Sequence, residues 1–170
     1  KVPVDETIPG SSALEVMPII EQVFVQHKEG LQGLDLERKL YVLRNYSSSK
    51  INAEIPGVNH AFYFASFSSL TVVYKGQLRT DQVLPFFKDL QNPGLASAFA
   101  IVHSRFSTNT FPNWRLAQPF RYLSHNGEIN TIRGNLTKMK SKEALMKSSL
   151  FTPEELAKLM PITNKLNSDS

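Results

Sequence analysis

Apolar residues follow two patterns along the chain, and each pattern predicts a type of secondary structure. Period-two alternation, or a run of aromatic and β-branched residues, predicts strands at 19–26, 62–67, 70–74, 97–104 and 120–124. Helical spacing predicts helices at 35–46, 81–90 and 130–147, and Pro153 followed by two glutamates predicts a last short helix. Because strands and helices alternate irregularly, the pattern favours an α+β layered fold.

Several local signals set the boundaries of these elements. Ser12 and Glu15 fit a capping box, and Pro18 would end that helix after about one turn. The serines at 47–49 predict a loop after the second helix, and Pro56–Gly57 predicts a turn. The predicted inward residues of the two long helices are Leu36, Leu40 and Leu43 in one, and Ile132, Leu136, Met139 and Leu145 in the other.

The composition is that of an ordinary globular domain or part of one, with 170 residues, 41% apolar and 20% charged. The apolar runs are far shorter than the ~20 residues of a membrane span, and no basic-then-apolar leader is visible, so we expect a cytoplasmic protein without a membrane partner. The chain has no cysteine. Disulfides, thiolate metal ligands and a cysteine nucleophile are therefore excluded within these residues.

The net charge of +4 comes from 19 basic and 15 acidic residues, and the basic residues are scattered. A nucleic-acid-binding protein usually gathers its lysines and arginines on one face, so we expect no nucleic-acid partner. The loose cluster of Lys138, Lys140 and Lys142 is typical of a solvated helix face.

Two polar runs, at 103–110 and 124–130, each follow the end of a predicted strand, where proteins often build sites. Arg105 offers a planar fork of donors that suits a carboxylate. The Asn126 amide and the unshielded backbone N–H of Gly127 could converge as an oxyanion hole, which stabilises charge on a carbonyl under attack. Asn-Gly is equally the sequence of a tight hairpin turn, and both interpretations stay open.

The remaining residues of interest have simpler interpretations. His103 and His125 could bind a metal or act as a base, but neither has a partner at metal-ligand spacing, so we expect no metal site and buried, hydrogen-bonded structural histidines instead. Glu128 could be an acid–base group or a carboxylate of a polar network. Trp114 and Phe111 are expected to pack their loop against the protein.

Together the two runs form long motifs that resemble a known family. The motifs are His103-Ser-Arg-Phe-Ser-Thr-Asn-Thr-Phe-Pro-Asn-Trp114, Leu116-Ala-Gln-Pro-Phe-Arg121 and His125-Asn-Gly-Glu-Ile-Asn-Thr-Ile-Arg-Gly-Asn135, with further matches at Glu37–Arg44, Val73–Gly76 and Ser168–Ser170. They resemble the glutaminase domain of glutamate synthases, which belongs to the class II glutamine amidotransferases. The resemblance spans nearly the whole chain.

The resemblance implies a fold and a set of roles. The fold would be a partial αββα sandwich of the N-terminal-nucleophile hydrolase type, with residues 1–170 forming a single incomplete domain. Arg105 would hold the α-carboxylate of glutamine, with Thr108 close by, and Asp169 would accept hydrogen bonds from the α-ammonium. Asn126 and Gly127 would supply the oxyanion hole.

The sequence departs from the family at the nucleophile. The family uses an N-terminal cysteine whose own α-amine acts as the base, whereas this chain begins with Lys1 and has no cysteine. We therefore expect an internal piece of the domain that is inactive alone, because the covalent route needs that thiol. Its sheets would be incomplete, and an uncovered sheet edge could lead to self-association.

The resemblance also implies partners and cofactors. The ligands would be L-glutamine and L-glutamate, and the remaining domains of a parent chain would pass ammonia to 2-oxoglutarate at a site with FMN and an iron–sulfur cluster. We expect no cofactor within these 170 residues. Two alternatives remain: another class II amidotransferase with a different acceptor, and a non-catalytic module that binds glutamine or glutamate.

Overall fold

The computed structural model describes residues 1–58, 61–108, 110–125 and 131–163. In these residues the helices are α1 (Ser11–Glu15), α2 (Gly33–Glu54), α3 (Thr80–Phe86), a 3₁₀ helix (Lys88–Gln91), α4 (Ile132–Glu143) and α5 (Pro153–Leu159). The chain forms two compact units. The first comprises Lys1–Val25 and the described residues of Val73–Gly127, and the second comprises Gln26–Val72 and the described residues of Glu128–Asp169.

An aromatic cluster forms the core of the first unit. Phe86, Phe87 and Trp114 are 0%, 3% and 3% exposed. The Phe86 ring lies 4.7 Å from that of Phe87 and 5.7 Å from that of Trp114, in edge-on and tilted arrangements that aromatic pairs favour. The Trp114 indole N–H donates to the carbonyl oxygen of Ala13 at 2.8 Å, so the buried ring has its polar atom paired. An isolated antiparallel bridge joins Val4 to Phe87 beside this cluster.

Pro85 divides the helix that the sequence predicts over 81–90. The α-helix ends at Phe86, and a separate 3₁₀ helix follows from Lys88. Pro85 is itself helical, but it has no N–H for the helical ladder and its ring crowds the preceding turn, so the helix extends only one residue beyond it. The break turns Phe86 and Phe87 into the aromatic core.

The second unit is built on α2 and α5, which pack against each other. Leu40 and Val42 of α2 and Leu159 of α5 are buried, and an ion pair joins Lys39 to Glu155. The predicted start of α5 at Pro153 is confirmed. Its N-cap is a capping box, in which the Thr152 hydroxyl accepts the Glu155 N–H at 3.2 Å and the Glu155 carboxylate accepts the Thr152 N–H at 2.9 Å.

Helix α2 is longer than the sequence predicts, because it continues through the serines at 47–49 to Glu54. An ion pair between Lys50 and Glu54 at 2.6 Å stabilises the added turns. The helix ends at Glu54 with Ile55 as its C-cap, since the following proline disfavours helical backbone at the residue before it. The predicted turn at Pro56–Gly57 is confirmed, with Gly57 at φ +83°. The predicted inward residue Leu43 is instead 46% exposed.

The predictions for α1 and α4 are partly wrong. Gly10, not Ser12, is the N-cap of α1, and no side chain caps that helix, so the predicted capping box does not form. Helix α4 ends at Glu143 instead of continuing to 147, and none of its residues is buried. Leu145, which was predicted to point inward, is 79% exposed. The predicted first residue of that helix, Asn130, lies outside the described residues.

The predicted strands at 19–26, 62–67, 70–74, 97–104 and 120–124 do not form in the described residues. Isolated bridges at Val4–Phe87 and Phe120–Leu123 are the β-pairing in that part of the chain. A strand exists only when its backbone pairs with another, and alternation along one segment cannot supply the partner. Phe24 and Val102, for instance, are 86% and 72% exposed. The α+β sandwich is thus not seen in the described residues, and they contain no sheet edge that could support self-association.

No helix in the described ranges is both long enough and apolar enough to span a membrane.

Candidate functional site

A histidine connects the two polar runs of the first unit. The Nε2 atom of His103 lies 3.0 Å from the carbonyl oxygen of His125, and the two rings are 5.8 Å apart in an edge-on arrangement. The other ring nitrogen, Nδ1, accepts the backbone N–H of Arg105 at 3.3 Å. The expected hydrogen bonding is therefore confirmed for His103, but the residue is half-buried and not fully buried as predicted.

Arg105 is an exposed residue two positions beyond His103. Its backbone is fixed by the hydrogen bond to the imidazole, which leaves the long side chain to extend toward solvent. A guanidinium presented in this way can receive a carboxylate with two parallel hydrogen bonds. This geometry is compatible with the predicted carboxylate-binding role.

Thr108 is exposed on a turn that follows Arg105. The turn is closed by a hydrogen bond from the N–H of Thr110 to the carbonyl oxygen of Ser107 at 3.0 Å. Ser107 is 6% exposed and anchors the turn, and its hydroxyl has no hydrogen-bond partner in the described part of the chain. Arg105 and Thr108 thus lie on one short exposed segment.

Three predicted site residues, Asn126, Gly127 and Asp169, lie outside the described residues. Asn126 directly follows His125 in the chain, so the contact made by His103 reaches the residue before the predicted oxyanion hole. Glu128 is likewise outside the described residues.

Lys75 is a buried residue of the first unit whose environment the sequence analysis missed. It is 8% exposed, its Nζ donates to the carbonyl oxygen of Arg115 at 2.7 Å, and the ammonium lies 4.5 Å from the centre of the Phe120 ring. Burial, with a smaller contribution from the charge of Arg115, lowers the pKa of Lys75 to about 8. Its surroundings include Arg115 and Phe120, which are distant in the chain, so no local pattern signals the burial.

The loop at 111–117 is only partly packed as expected. Trp114 is buried, which confirms that half of the prediction, but Phe111 is 86% exposed. Trp114 lies against Gly76, where an added Cβ would be 2.3 Å from its ring. The described residues contain no group of three or more histidine, aspartate or glutamate side chains arranged to hold a metal ion.

Comparison with known proteins identifies the class of protein to which the chain belongs. The family model of the class II glutamine amidotransferases matches residues 1–170. The chain belongs to the class II glutamine amidotransferases, a family whose fold is that of the N-terminal-nucleophile hydrolases. The family inferred from the two polar runs is therefore confirmed.

The relatives within this class are glutamate synthases. The chain is 49% identical over 172 residues to the large chain of the NADPH glutamate synthase of Bacillus subtilis, covering 99% of this chain and 11% of that protein. It is 50% identical over 175 residues to the NADH glutamate synthase of Schizosaccharomyces pombe, covering 99% and 8%. It is 45% identical over 170 residues to the ferredoxin-dependent glutamate synthase 2 of Synechocystis, covering 100% and 10%. The chain thus spans about a tenth of the length of these relatives.

Proposed function

We propose that this chain carries the glutamine-binding part of a glutamate synthase. The observation that carries the proposal is the contact between His103 and His125, which joins the run bearing Arg105 to the run that continues into Asn126 and Gly127. A site for an amino-acid amide needs a carboxylate-binding group and a carbonyl-binding group on neighbouring segments. The identity of 45%, 49% and 50% to three glutamate synthases supports the same function.

Each residue would have a separate role on the substrate. Arg105 would pair with the α-carboxylate of L-glutamine, with Thr108 beside it, and Asp169 would accept hydrogen bonds from the α-ammonium. The Asn126 side-chain amide and the Gly127 N–H would stabilise the oxyanion that forms when a thiolate attacks the carboxamide carbon. The C–N bond then breaks as the amide nitrogen takes up a proton and leaves as ammonia, and water hydrolyses the thioester to glutamate and the free thiol.

These residues cannot supply the nucleophile for this reaction. The sequence of 170 residues has no cysteine, so a thiolate would have to come from elsewhere in a protein of the relatives' length. By itself the chain is expected to bind glutamine without hydrolysing it. A cysteine-free chain also fits the second candidate function, a non-catalytic module that binds glutamine or glutamate. Ammonia release by the longest natural form of the protein would favour the enzyme, and binding without release would favour the module.

The whole protein would transfer the ammonia to 2-oxoglutarate and form a second glutamate. FMN and an iron–sulfur cluster would belong to that step, and a chain without cysteine lacks the thiolates that usually hold such a cluster, so we do not assign the cluster to these residues. The three relatives are named for NADPH, NADH and ferredoxin, so this region is compatible with each electron donor. A cytoplasmic location stays a prediction, since one Arabidopsis thaliana relative is named chloroplastic.

We further propose that residues 1–170 belong to one αββα domain. Membership of the family supports this arrangement, as do the alternating segments at 19–26 and 97–104. Two stacked, paired sheets in a crystal structure of the longer protein are the expected result. Helices without paired strands would contradict it.

Titration calorimetry with L-glutamine tests the proposed binding site. Replacing Arg105 with glutamine removes the charge and the bidentate geometry, and a charge-assisted pair contributes about 1.5–3 kcal/mol. We therefore expect Arg105→Gln to weaken binding about 10- to 100-fold. Arg133→Gln is the matched control, because Arg133 is an exposed arginine on α4 in the second unit. Equal affinity in Arg105→Gln and the unmodified chain would contradict the assignment, as would a lack of glutamine binding by both.

A further inference from the structure

His103 uses both of its ring nitrogens, and the two bonds go to different segments. Nδ1 faces the backbone N–H of Arg105 at 3.3 Å, within its own segment. Nε2 faces the carbonyl oxygen of His125 at 3.0 Å, which is 22 residues further along the chain. One ring therefore connects the loop of Arg105 to the residue that precedes Asn126.

The two partners determine the protonation of the ring. A backbone N–H can only donate, so Nδ1 must accept and carry no proton. A carbonyl oxygen can only accept, so Nε2 must carry the proton and donate it. The arrangement thus needs the neutral Nε2–H tautomer, because a proton on Nδ1 would oppose the N–H of Arg105.

We propose that His103 is a positioning residue, which holds the loop of Arg105 against His125, the residue that precedes Asn126 in the chain, through its Nε2–H bond to the His125 carbonyl oxygen. The inference rests on the proposed function, since it assigns a role within that same glutamine site. His103 does not touch the substrate in this proposal. It acts through the backbone, by keeping Arg105 and His125 together.

If His103 keeps the two segments together, its loss should affect the binding affinity of a ligand that contacts both segments more than that of a ligand that contacts one. L-Glutamine has both an α-carboxylate for Arg105 and a carboxamide for the second segment. L-2-Aminobutyrate has the carboxylate and the α-ammonium but no carboxamide. Losing the connection should therefore weaken glutamine binding more than aminobutyrate binding, because only glutamine needs both segments in register.

Two conservative variants separate the two bonds of the ring. In His103→Gln the terminal amide can reproduce the donor at Nε2, whereas in His103→Asn the shorter amide can reproduce only the acceptor at Nδ1. We expect His103→Asn to weaken L-glutamine binding about tenfold, the loss that follows from one structural hydrogen bond. His103→Gln should restore affinity to within about threefold of the unmodified chain. Aminobutyrate affinity, measured by NMR titration, should change by less than about threefold in both variants.

An NMR measurement of the ring tests the geometry without any ligand. Long-range ¹H–¹⁵N correlation distinguishes the two neutral tautomers, and we expect Nε2–H with an unprotonated Nδ1 for His103. The Nδ1–H tautomer would overturn the proposal. Thermal unfolding of both variants identifies any general loss of folding, which would lower affinity for both ligands equally.

The outcomes for the proposed function and for this inference are distinguishable. If the unmodified chain fails to bind glutamine, the proposed function is wrong and the role of His103 is wrong with it. If the unmodified chain binds and Arg105→Gln weakens binding, the site is supported. In that case equal affinities of His103→Asn and His103→Gln, whether both weakened or both unchanged, overturn the positioning role alone.

Discussion

Replacing Lys75 with methionine should remove a pH dependence from the stability of the first unit. Lys75 is 8% exposed, and burial lowers its pKa from 10.5 to about 8. Between these two values the unfolded chain holds the Lys75 proton and the folded chain has released it. The free energy of unfolding therefore rises with pH across this window.

The magnitude follows from the size of the shift. The cost of keeping Lys75 charged in the folded state is about 3 kcal/mol near neutral pH, and it decreases as the folded state loses the proton. Between about pH 7.5 and pH 9.5 the unmodified chain should gain about 2 kcal/mol of stability from this group. Methionine keeps a similar length without a charge, so Lys75→Met should lack this gain.

Urea unfolding, followed by the fluorescence of Trp114, measures the effect in the unit that contains Lys75. Tyr74 does not interfere, although burial and the nearby Asp89 raise its pKa above 10.0. A raised tyrosine pKa lowers the free energy of unfolding only as the pH rises past the unfolded value, which lies above the measured range of about pH 7.5 to 9.5. Lys88→Met is the control, because Lys88 is exposed in the same unit. Parallel pH profiles for Lys75→Met and the unmodified chain would refute the reasoning.

Two further variants test single contacts. Thr152→Ala removes the hydroxyl that caps α5 and should lower the free energy of unfolding, measured by circular dichroism, by about 1 kcal/mol. The control Thr137→Ala within α4 should change the free energy of unfolding by less than about 0.5 kcal/mol. An equal effect of both variants would contradict the capping role. Gly76→Ala places a Cβ 2.3 Å from the buried ring of Trp114 and should lower the free energy of unfolding by about 1–3 kcal/mol, with a shift in the fluorescence emission of Trp114. The control is Gly10→Ala, whose added Cβ meets no atom within 4 Å. Unchanged emission and stability in Gly76→Ala would contradict the close packing.

The sequence predicted best those features that depend on neighbouring residues. The start of α5 follows from Thr152, Pro153 and Glu155, which stand next to one another and satisfy the helix terminus directly. The turn at Pro56–Gly57 likewise follows from its own residues, whereas the predicted end of α2 at residue 46 is wrong, since the helix continues to Glu54. Such signals act over a few residues, so the chain alone contains the information.

Features that depend on distant partners were predicted less well. The alternating segment at 19–26 has the pattern of a strand, yet pairing is decided by another segment, and no strand pairs with it among the described residues. The burial of Lys75 depends on Arg115 and Phe120, about 40 residues away in the chain, and no local pattern indicates it.

The candidate site shows both situations. The motifs around Arg105 and Asn126 identified the family, because they combine many residues in a fixed order. The hydrogen bonds of His103 could not be predicted from the same motifs, since they depend on where the second segment lies. Residue types thus indicated the chemistry, and the structure added the hydrogen bond of His103 that connects the two segments.

A crystal structure of this chain with bound L-glutamate, the product of the proposed hydrolysis, tests the glutamine site most directly. The account predicts that the Arg105 guanidinium forms two hydrogen bonds with the α-carboxylate, while the side-chain carboxylate of the ligand lies at the amides of Asn126 and Gly127. L-Glutamate bound away from Arg105, or with its α-carboxylate turned toward other residues, would contradict the account.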